Sequence, residues 1–277
     1  MQREKWSAEL ARFKMVNHAL AYARRGWPVI PVWWPSYPGV CACPEGSECP
    51  NIGKHPLVSG GQLSATVDME QIQAWWRKWP LANIAIATGE PCGFTVVDVD
   101  PKNGGQNTFS KLMEKFGRPD PTIVSVTGSG GRHILWKWNP EHRCSQNVRQ
   151  GIDVRATGGY ILAPPSMHES GYRYYWHKDG HPKMAKLDTA PYWVEDILRG
   201  VRLKSGQSSG IKGGPIAEGS RNMTLFRYAC RFQRQALSDE DLANQVHALN
   251  VKLCKPPLGD KEVEKIIGSA LRYPKGS

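Results

Sequence analysis

No run of this sequence is apolar over the ~18–20 residues a membrane span requires, and its first residues, MQREKWSAELARFK, are charged where a secretory signal is apolar. The expectation is a cytoplasmic protein with no membrane partner. Negative charge is in short supply: 25 Asp plus Glu stand against 36 Lys plus Arg, a net charge of +11. The P-loop pattern G-x-x-x-x-G-K-[ST] is missing, which excludes a recognisable P-loop motor. Internal repeats are missing too. Cysteine is sparse everywhere except one short segment that holds three of the seven, and in a reducing compartment that clustering argues for metal before disulfide. What is present is an ordinary globular composition, 40% hydrophobic and 22% charged over 277 residues, which excludes collagen-like, disordered and mini-protein classes. At ~100–200 residues per domain, the length fits one large domain and a small one.

The positive charge is uneven. Residues 1–200 hold 23 basic and 18 acidic side chains, whereas the last 77 hold 13 and 7. Charge of this sign suits nucleic acid or another anionic surface but decides encounter rather than chemistry.

Periodicity predicts a helix over Glu9–Arg25, ended by Gly26 and Pro28, then a short buried strand over Val29–Trp34. A Pro-, Gly- and Cys-rich loop runs to Pro56. Ile72, Trp75, Trp76 and Trp79 mark one face of a helix over Met69–Trp79, where the tryptophans serve as core. Strands are expected at Ile84–Thr88 and Phe94–Asp100 with a hairpin between them, a helix at Thr108–Phe116, strands at Thr122–Thr127 and His133–Trp138 around a Gly-rich turn, and two more at Ile152–Arg155 and Tyr160–Ala163. Helices mixed with hairpin-linked strands give an α+β fold. Residues 200–215 (GVRLKSGQSSGIKGGP) form the one low-complexity stretch and are taken as a flexible linker at 201–215, dividing a domain over 1–200 from a helical one over 216–277. Three helices are expected there, near Arg221–Gln235, Ser238–Leu253 with a Ser238/Asp241 capping box, and Asp260–Arg272. On the first, Arg227, Arg231 and Arg234 oppose Leu225, Ala229 and Phe232; this stripe reads equally as a solvated surface or as phosphate contacts.

Strand alternation sets Asp98 and Asp100 of FTVVDVD on one face, ~6.6 Å of rise apart. Paired carboxylates in an apolar strand are costly unless a divalent cation, or solvent at a strand end, relieves them. Further on, VTGSGGRHIL places three glycines and Ser129 between strands, with Arg132 and His133 at the exit. Such a turn can converge backbone N–H groups on an anion, or simply close a hairpin. Asp153 in GIDVR is a third isolated strand acid.

This ordered set, strand D-x-D, then S-G-G-x-H, then a lone strand Asp, resembles the catalytic core of the archaeo-eukaryotic primase superfamily. The segments Ala19-Leu20 through Gly26-Trp27-Pro28-Val29-Ile30-Pro31-Val32, Gly53-Lys54-His55-Pro56, Asn83-Ile84-Ala85-Ile86-Ala87-Thr88-Gly89 and Gly159-Tyr160-Ile161-Leu162-Ala163-Pro164-Pro165-Ser166-Met167-His168 narrow the resemblance to the bifunctional primase-polymerase family of plasmids, phages and mobile elements. Ile216-Ala217-Glu218-Gly219-Ser220-Arg221-Asn222 and Cys254-Lys255-Pro256-Pro257-Leu258 are similar to the primase C-terminal helical domain often found behind it. The resemblance implies an RRM-like core with an accessory N-terminal unit. It also implies Asp98, Asp100 and Asp153 as ligands of two Mg2+ or Mn2+ ions, and His133 near Ser129, Gly131 and Arg132 as triphosphate contacts. Many relatives continue into a helicase domain, so unwinding is expected either from a separate helicase as partner or from a longer parent chain.

Cys41, Cys43, Cys49 and His55 have the spacing C-x-C-x5-C-x5-H, suited to a structural zinc in a loop over 41–55. His55 is the least firm of the four, because its G-K-H-P turn also offers Lys54 as a phosphate contact. Cys92, Cys144, Cys230, Cys254 and His18 are read as packing residues. The function expected is DNA priming and polymerisation on single-stranded template with a primer and NTP or dNTP, the last domain supplying Arg221, Arg227, Arg231 and Arg234 for DNA. The alternatives are an inactive nucleic-acid-binding replication module and a metal-dependent nuclease.

Overall fold

A computed structural model of the chain describes residues 14–200, 216, 218–219, 221–234, 237–273 and 275. The chain divides into two compact units, one of Met1–Ser110, Asp120–Ala190 and Glu195–Arg202, the other of Lys111–Pro119, Pro191–Val194 and Leu203–Ser277. Among the described residues there are seven α-helices and no helix long and apolar enough to cross a membrane. The 201–215 linker expectation falls outside the described residues, as does the start of the first expected helix.

In the larger unit, helix α1 (Met15–Ala23) buries Ala19, Leu20, Tyr22 and Ala23. Gly26, at φ +76, then turns the chain into strand β1 (Val29–Val32). Two short strands, β2 (Pro35–Tyr37) and β3 (Val40–Cys41), pair with each other. Helix α2 (Met69–Lys78) starts on Asp68, whose carboxylate accepts the N–H groups of Glu70 and Gln71, and it buries Ile72 and Trp76 one turn apart. Strand β4 (Asn83–Ala87) is buried at all five positions, as a central strand must be. It lies between β1 and β10 (Tyr160–Leu162) in an antiparallel three-stranded sheet.

The second sheet has six strands. Strand β5 (Phe94–Val99) is followed by helix α3 (Gly105–Phe116), then by β6 (Ile123–Val126) and β7 (Arg132–Lys137), and later by β8 (Ser145–Arg149), β9 (Ile152–Arg155) and β11 (Tyr175–Trp176). Their order is β11-β6-β7-β5-β9-β8, every neighbouring pair antiparallel. Since β7 runs antiparallel to both β5 and β6, the α3 crossover carries the chain over β7 and sets β5 and β6 in the same direction.

The expected hairpin between the fourth and fifth strands does not form. Only a single bridge, Gly89 to Phe94, links them, and β4 and β5 belong to different sheets. The reason lies in their surfaces: β4 is buried throughout, apolar after Asn83, and needs strands on both edges and cover on both faces, whereas β5 changes character along one face. There Phe94 and Val96 join Trp27, Ile72, Trp76 and Leu135 in the main core, and Asp98 and Asp100 continue the same stripe as acid. The core therefore ends where the acids begin.

In the smaller unit, helices α5 (Arg221–Arg234), α6 (Asp239–Leu253) and α7 (Asp260–Leu271) bury Leu225, Ala229, Leu242, Val246, Val263 and Ile266 together. The Ser238 hydroxyl accepts the Asp241 N–H at 3.0 Å, the expected cap of α6. Helix α4 (Tyr192–Leu198) carried no periodic signal strong enough to be expected.

One buried side chain ties the sheets' loops together. Asn83 Nδ2 donates to the carbonyls of Gly53 (3.0 Å) and Met167 (2.8 Å), and its Oδ1 accepts the Met167 N–H (2.8 Å). It thus fastens the G-K-H-P turn to the segment that leads to His168. Asn83→Ala strands these backbone groups, and the larger unit is expected to lose about 2–4 kcal/mol by, read as a lower urea midpoint in tryptophan fluorescence.

Candidate active site

The acids stand where strand register puts them. Asp98 is paired with His133 on β7 and with Asp153 on β9, and His133 is paired with Ser125 on β6. Directly opposed residues share a face, so Ser125, His133, Asp98 and Asp153 form one row across four strands. Asp98 Oδ1 lies 3.7 Å from His133 Nε2. Arg155, two residues beyond Asp153 on the same face, sets its Nη2 2.9 Å from Asp153 Oδ2 and 3.9 Å from Asp98 Oδ2. The Asn147 N–H donates to Asp153 Oδ1 at 2.7 Å. Asp100, just past β5, accepts the Lys102 N–H (2.9 Å) and the Asn103 side-chain amide (2.7 Å), so it also shapes the turn after the strand.

Asp98, Asp100, Asp153, His133 and Arg155 line a cavity of about 1010 Å3 that also takes in Lys54, Lys102, Ser129, Gly131 and His168. The structure thus brings Asp98, Asp100, Asp153, His133, Ser129, Gly131 and Lys54 together. Arg132 is not among them. Adjacent strand residues face opposite sides, and beside buried His133 the Arg132 side chain is exposed and does not line the cavity. The cations there are Lys54, Lys102 and Arg155. Alternation from Asp153 places Arg155 on the acid face, so strand periodicity is the signal that points to it.

The Gly-rich turn differs from a full ring of backbone donors. The Gly130 N–H is engaged by the Thr127 carbonyl and the Gly131 N–H by the Thr127 hydroxyl, both at 2.9 Å. The Ser129 hydroxyl, 2.9 Å from that of Thr127, is the side-chain group the turn adds to the cavity. Gly131 is required by proximity: a Cβ there would lie 2.6 Å from the Val99 carbonyl oxygen.

Burial holds the pKa of His133 below its usual value, Asp98 opposing and Arg155 and Lys54 adding to the effect. The ring is therefore neutral near pH 7. Ser125 Oγ lies 3.3 Å from its Nδ1, and the Tyr174 ring packs beside it, 5.9 Å between centroids. Tyr174 also meets His168 edge-on. His168 was visible in sequence only as the end of a motif. Its Nδ1 accepts the Ser170 N–H at 3.1 Å, which leaves the proton of the neutral ring on Nε2. The Ser170 hydroxyl in turn donates to the Gly128 carbonyl at 2.8 Å, joining this turn to the Gly-rich one.

Cys41, Cys43, Cys49 and His55 converge, with their ligand atoms all within 4.8 Å of one another. His55 Nε2 is 3.6 Å from Cys41 Sγ and 3.5 Å from Cys49 Sγ. A tetrahedral zinc with bonds of about 2.3 Å to sulfur and about 2.0–2.1 Å to nitrogen separates such ligands by about 3.6 Å, so this Cys3His set could hold that ion. Burial and the neighbouring thiols push Cys49 up to about 11, a proton affinity that a bound cation would offset. Trp33 packs beside the His55 ring, and the Trp33 N–H donates to the His55 carbonyl at 2.9 Å, so β1 anchors the knot. His55 is thus a member of the cluster, while Lys54 next to it faces the cavity. Among the described residues no other such group of ligands is this tightly gathered; the three acids are more widely spread.

In the smaller unit, Arg221 donates to the Pro256 carbonyl and pairs with Glu218 at 3.1 Å, so its guanidinium is engaged within the unit. On α5, Arg231 is exposed and Arg227 half-buried; the Arg234 side chain lies outside what is described.

Burial, then Lys54, lowers His168 to about 4 against 6.5 unfolded, with Lys102 acting the same way and Glu169 and Asp100 opposing. The folded state therefore binds fewer protons between these values. His168 contributes stability that is complete above pH 6.5 and lost as pH falls toward 4, no more than about 3 kcal/mol. His133 and His55 shift in the same direction. Urea titrations at pH 7 and pH 5 are expected to show a smaller acid loss for His168→Gln than for the unaltered protein.

The family model for bifunctional DNA primase/polymerase, N-terminal, matches residues 19–193, and the model for primase C terminal 1 matches residues 210–275. The first match contains all three acids, the Gly-rich turn and the Cys3His cluster. No curated protein matches the chain. With most of its length inside these two matches, the chain belongs to the bifunctional DNA primase/polymerase family, with a primase C-terminal domain behind the N-terminal one.

Proposed function

We propose that the cavity is the active site of a DNA primase-polymerase that makes and extends primers on single-stranded DNA. The observation that carries this reading is the row of His133, Asp98 and Asp153 across three neighbouring strands, with Asp100 beside it, in a chain of this family. The strand order β6-β7-β5-β9, with a helix crossing from β5 to β6, supports an RRM-like core.

Asp98, Asp100 and Asp153 would hold two Mg2+ or Mn2+ ions. The donor set fits, because all are hard oxygen ligands and each carboxylate, even where it accepts an N–H, keeps further lone pairs. Bound there, such ions supply activation of the attacking hydroxyl and charge relief at the leaving pyrophosphate. The primer 3′-hydroxyl, or that of a first nucleotide, attacks the α-phosphate, so no protein side chain acts as covalent nucleophile. Neutral His133, taking a hydrogen bond from Ser125 at Nδ1, presents its Nε2 proton to a phosphate oxygen. Ser129 and Lys54 meet the same triphosphate, Lys54 as a point charge. Arg155 holds Asp98 and Asp153 apart from one another's repulsion. The smaller unit, through Arg227 and Arg231, contributes grip on the template.

Asp98→Ala with Asp100→Ala is expected to lower incorporation of labelled nucleotide on single-stranded template with manganese by about a thousandfold or more, ~4 kcal/mol of barrier. Its circular dichroism and DNA binding should be retained. Undiminished synthesis by this variant overturns the assignment. Template degradation by the unaltered protein would identify a nuclease, and binding without either activity a non-catalytic module.

The Cys3His cluster is proposed as a structural zinc site. Elemental analysis is expected to find about one zinc per chain, and Cys43→Ser should release it. Because a separate core holds the sheets, the loss should loosen the 41–55 loop without global unfolding; protein purified without chelators yet free of zinc would refute the site.

A further inference from the structure

Beside the acids, the cavity has a second, oppositely charged feature. Glu169, in the turn after β10, points its carboxylate among three groups from three separate segments. Its Oε1 lies 3.9 Å from Lys54 Nζ, 3.8 Å from Lys102 Nζ and 3.8 Å from His168 Nε2. None of these contacts is a hydrogen bond. At such separations charge attracts but does not orient, and the two lysines are 43% and 67% exposed, long side chains leaning toward one anion.

The turn that carries Glu169 is tied down by hydrogen bonds, whereas its carboxylate makes only the long contacts above. The Glu169 carbonyl accepts the Gly39 N–H at 3.1 Å, the His168 N–H donates to the Tyr172 carbonyl at 2.9 Å, and Ser170 joins the turn to Gly128. His168 is 3% exposed with Nε2 as its remaining donor. A buried imidazole donor and two exposed ammonium groups, next to the Ser129 turn, form a cradle for a multiply charged anion. A single carboxylate fills it loosely.

We propose that Lys54, Lys102 and His168 form a polyphosphate subsite which Glu169 occupies in the free protein and leaves when polyphosphate arrives. The subsite deepens the primase-polymerase reading, resting on it for the identity of the natural ligand, a nucleoside triphosphate. An internal occupant lowers apparent affinity by the fraction of molecules in which the cradle is filled. Removing its charge therefore tightens binding. A carboxylate whose role was to orient the lysines would have the opposite effect.

Inorganic tripolyphosphate tests this without base, sugar or template. In calorimetric titrations of the full chain in magnesium buffer at low salt, Glu169→Gln is expected to bind it about three- to tenfold more tightly than the unaltered protein, the scale of a few exposed ion pairs. Lys102→Ala should bind it more weakly, and Glu169→Gln should gain less in that background. Unchanged or weaker binding by Glu169→Gln, or an undiminished gain in the Lys102→Ala background, overturns the subsite. Primer extension run in parallel separates the two readings. Tightening by Glu169→Gln in a protein that never incorporates nucleotide upholds the subsite and defeats the polymerase, while incorporation without tightening does the reverse.

Discussion

The charge of Asp98, set in a strand whose other five residues are buried, has to be answered by its neighbours. Antiparallel register supplies the answer from both sides. On β7 it brings up His133, and on β9 it brings up Asp153 together with Arg155, so a second acid enters only with its own cation. Had β5 paired with β4 in a simple hairpin, the acid would have faced the apolar residues of NIAIA. Separate sheets for β4 and β5 are therefore a condition for the acidic row, and the 3-10 turn at Glu90–Cys92 is where the chain makes that passage.

Around this row the cavity has two electrical poles. The acids, Asp98, Asp100 and Asp153, are suited to cations, and Lys54 and Lys102, with the His168 donor, are suited to phosphate. The positive pole is assembled from loops, and its rigidity comes from elsewhere. Lys54 is held between the Cys3His knot, through His55, and Asn83, through the Gly53 carbonyl. Two quite different devices, one suited to a metal and one made of a buried amide, thus fix the same four-residue turn.

Much of this was legible beforehand because the informative residues carry strand or helix periodicity. Alternation in FTVVDVD put Asp98 and Asp100 on one face, and Ser238 with Asp241 announced the start of α6. The cysteine spacing announced its own convergence. What the sequence could not convey was pairing. Nothing local says that the segment at 84–88 pairs with 160–162 rather than with its neighbour at 94. Strands of two or three residues, such as β3 and β11, are too short for a pattern. Glu169 and Lys102 are ordinary exposed charges until the fold sets them side by side. Arg132 is the opposite case, since its closeness in sequence to His133 is what turns it away from the cavity.

Gly128 and His168 are far apart in the chain, yet each is shaped by the other. A Cβ on Gly128 would lie inside the His168 side chain and against the Tyr172 carbonyl oxygen, at 2.5 Å from the latter. The contact leaves no room for independent drift at either position. Any side chain at 128 must displace the turn that carries His168, and with it Glu169 and the bond from Ser170. The two loops behave as one part, able to change together or not at all, and a library that randomises only one of them will recover the glycine.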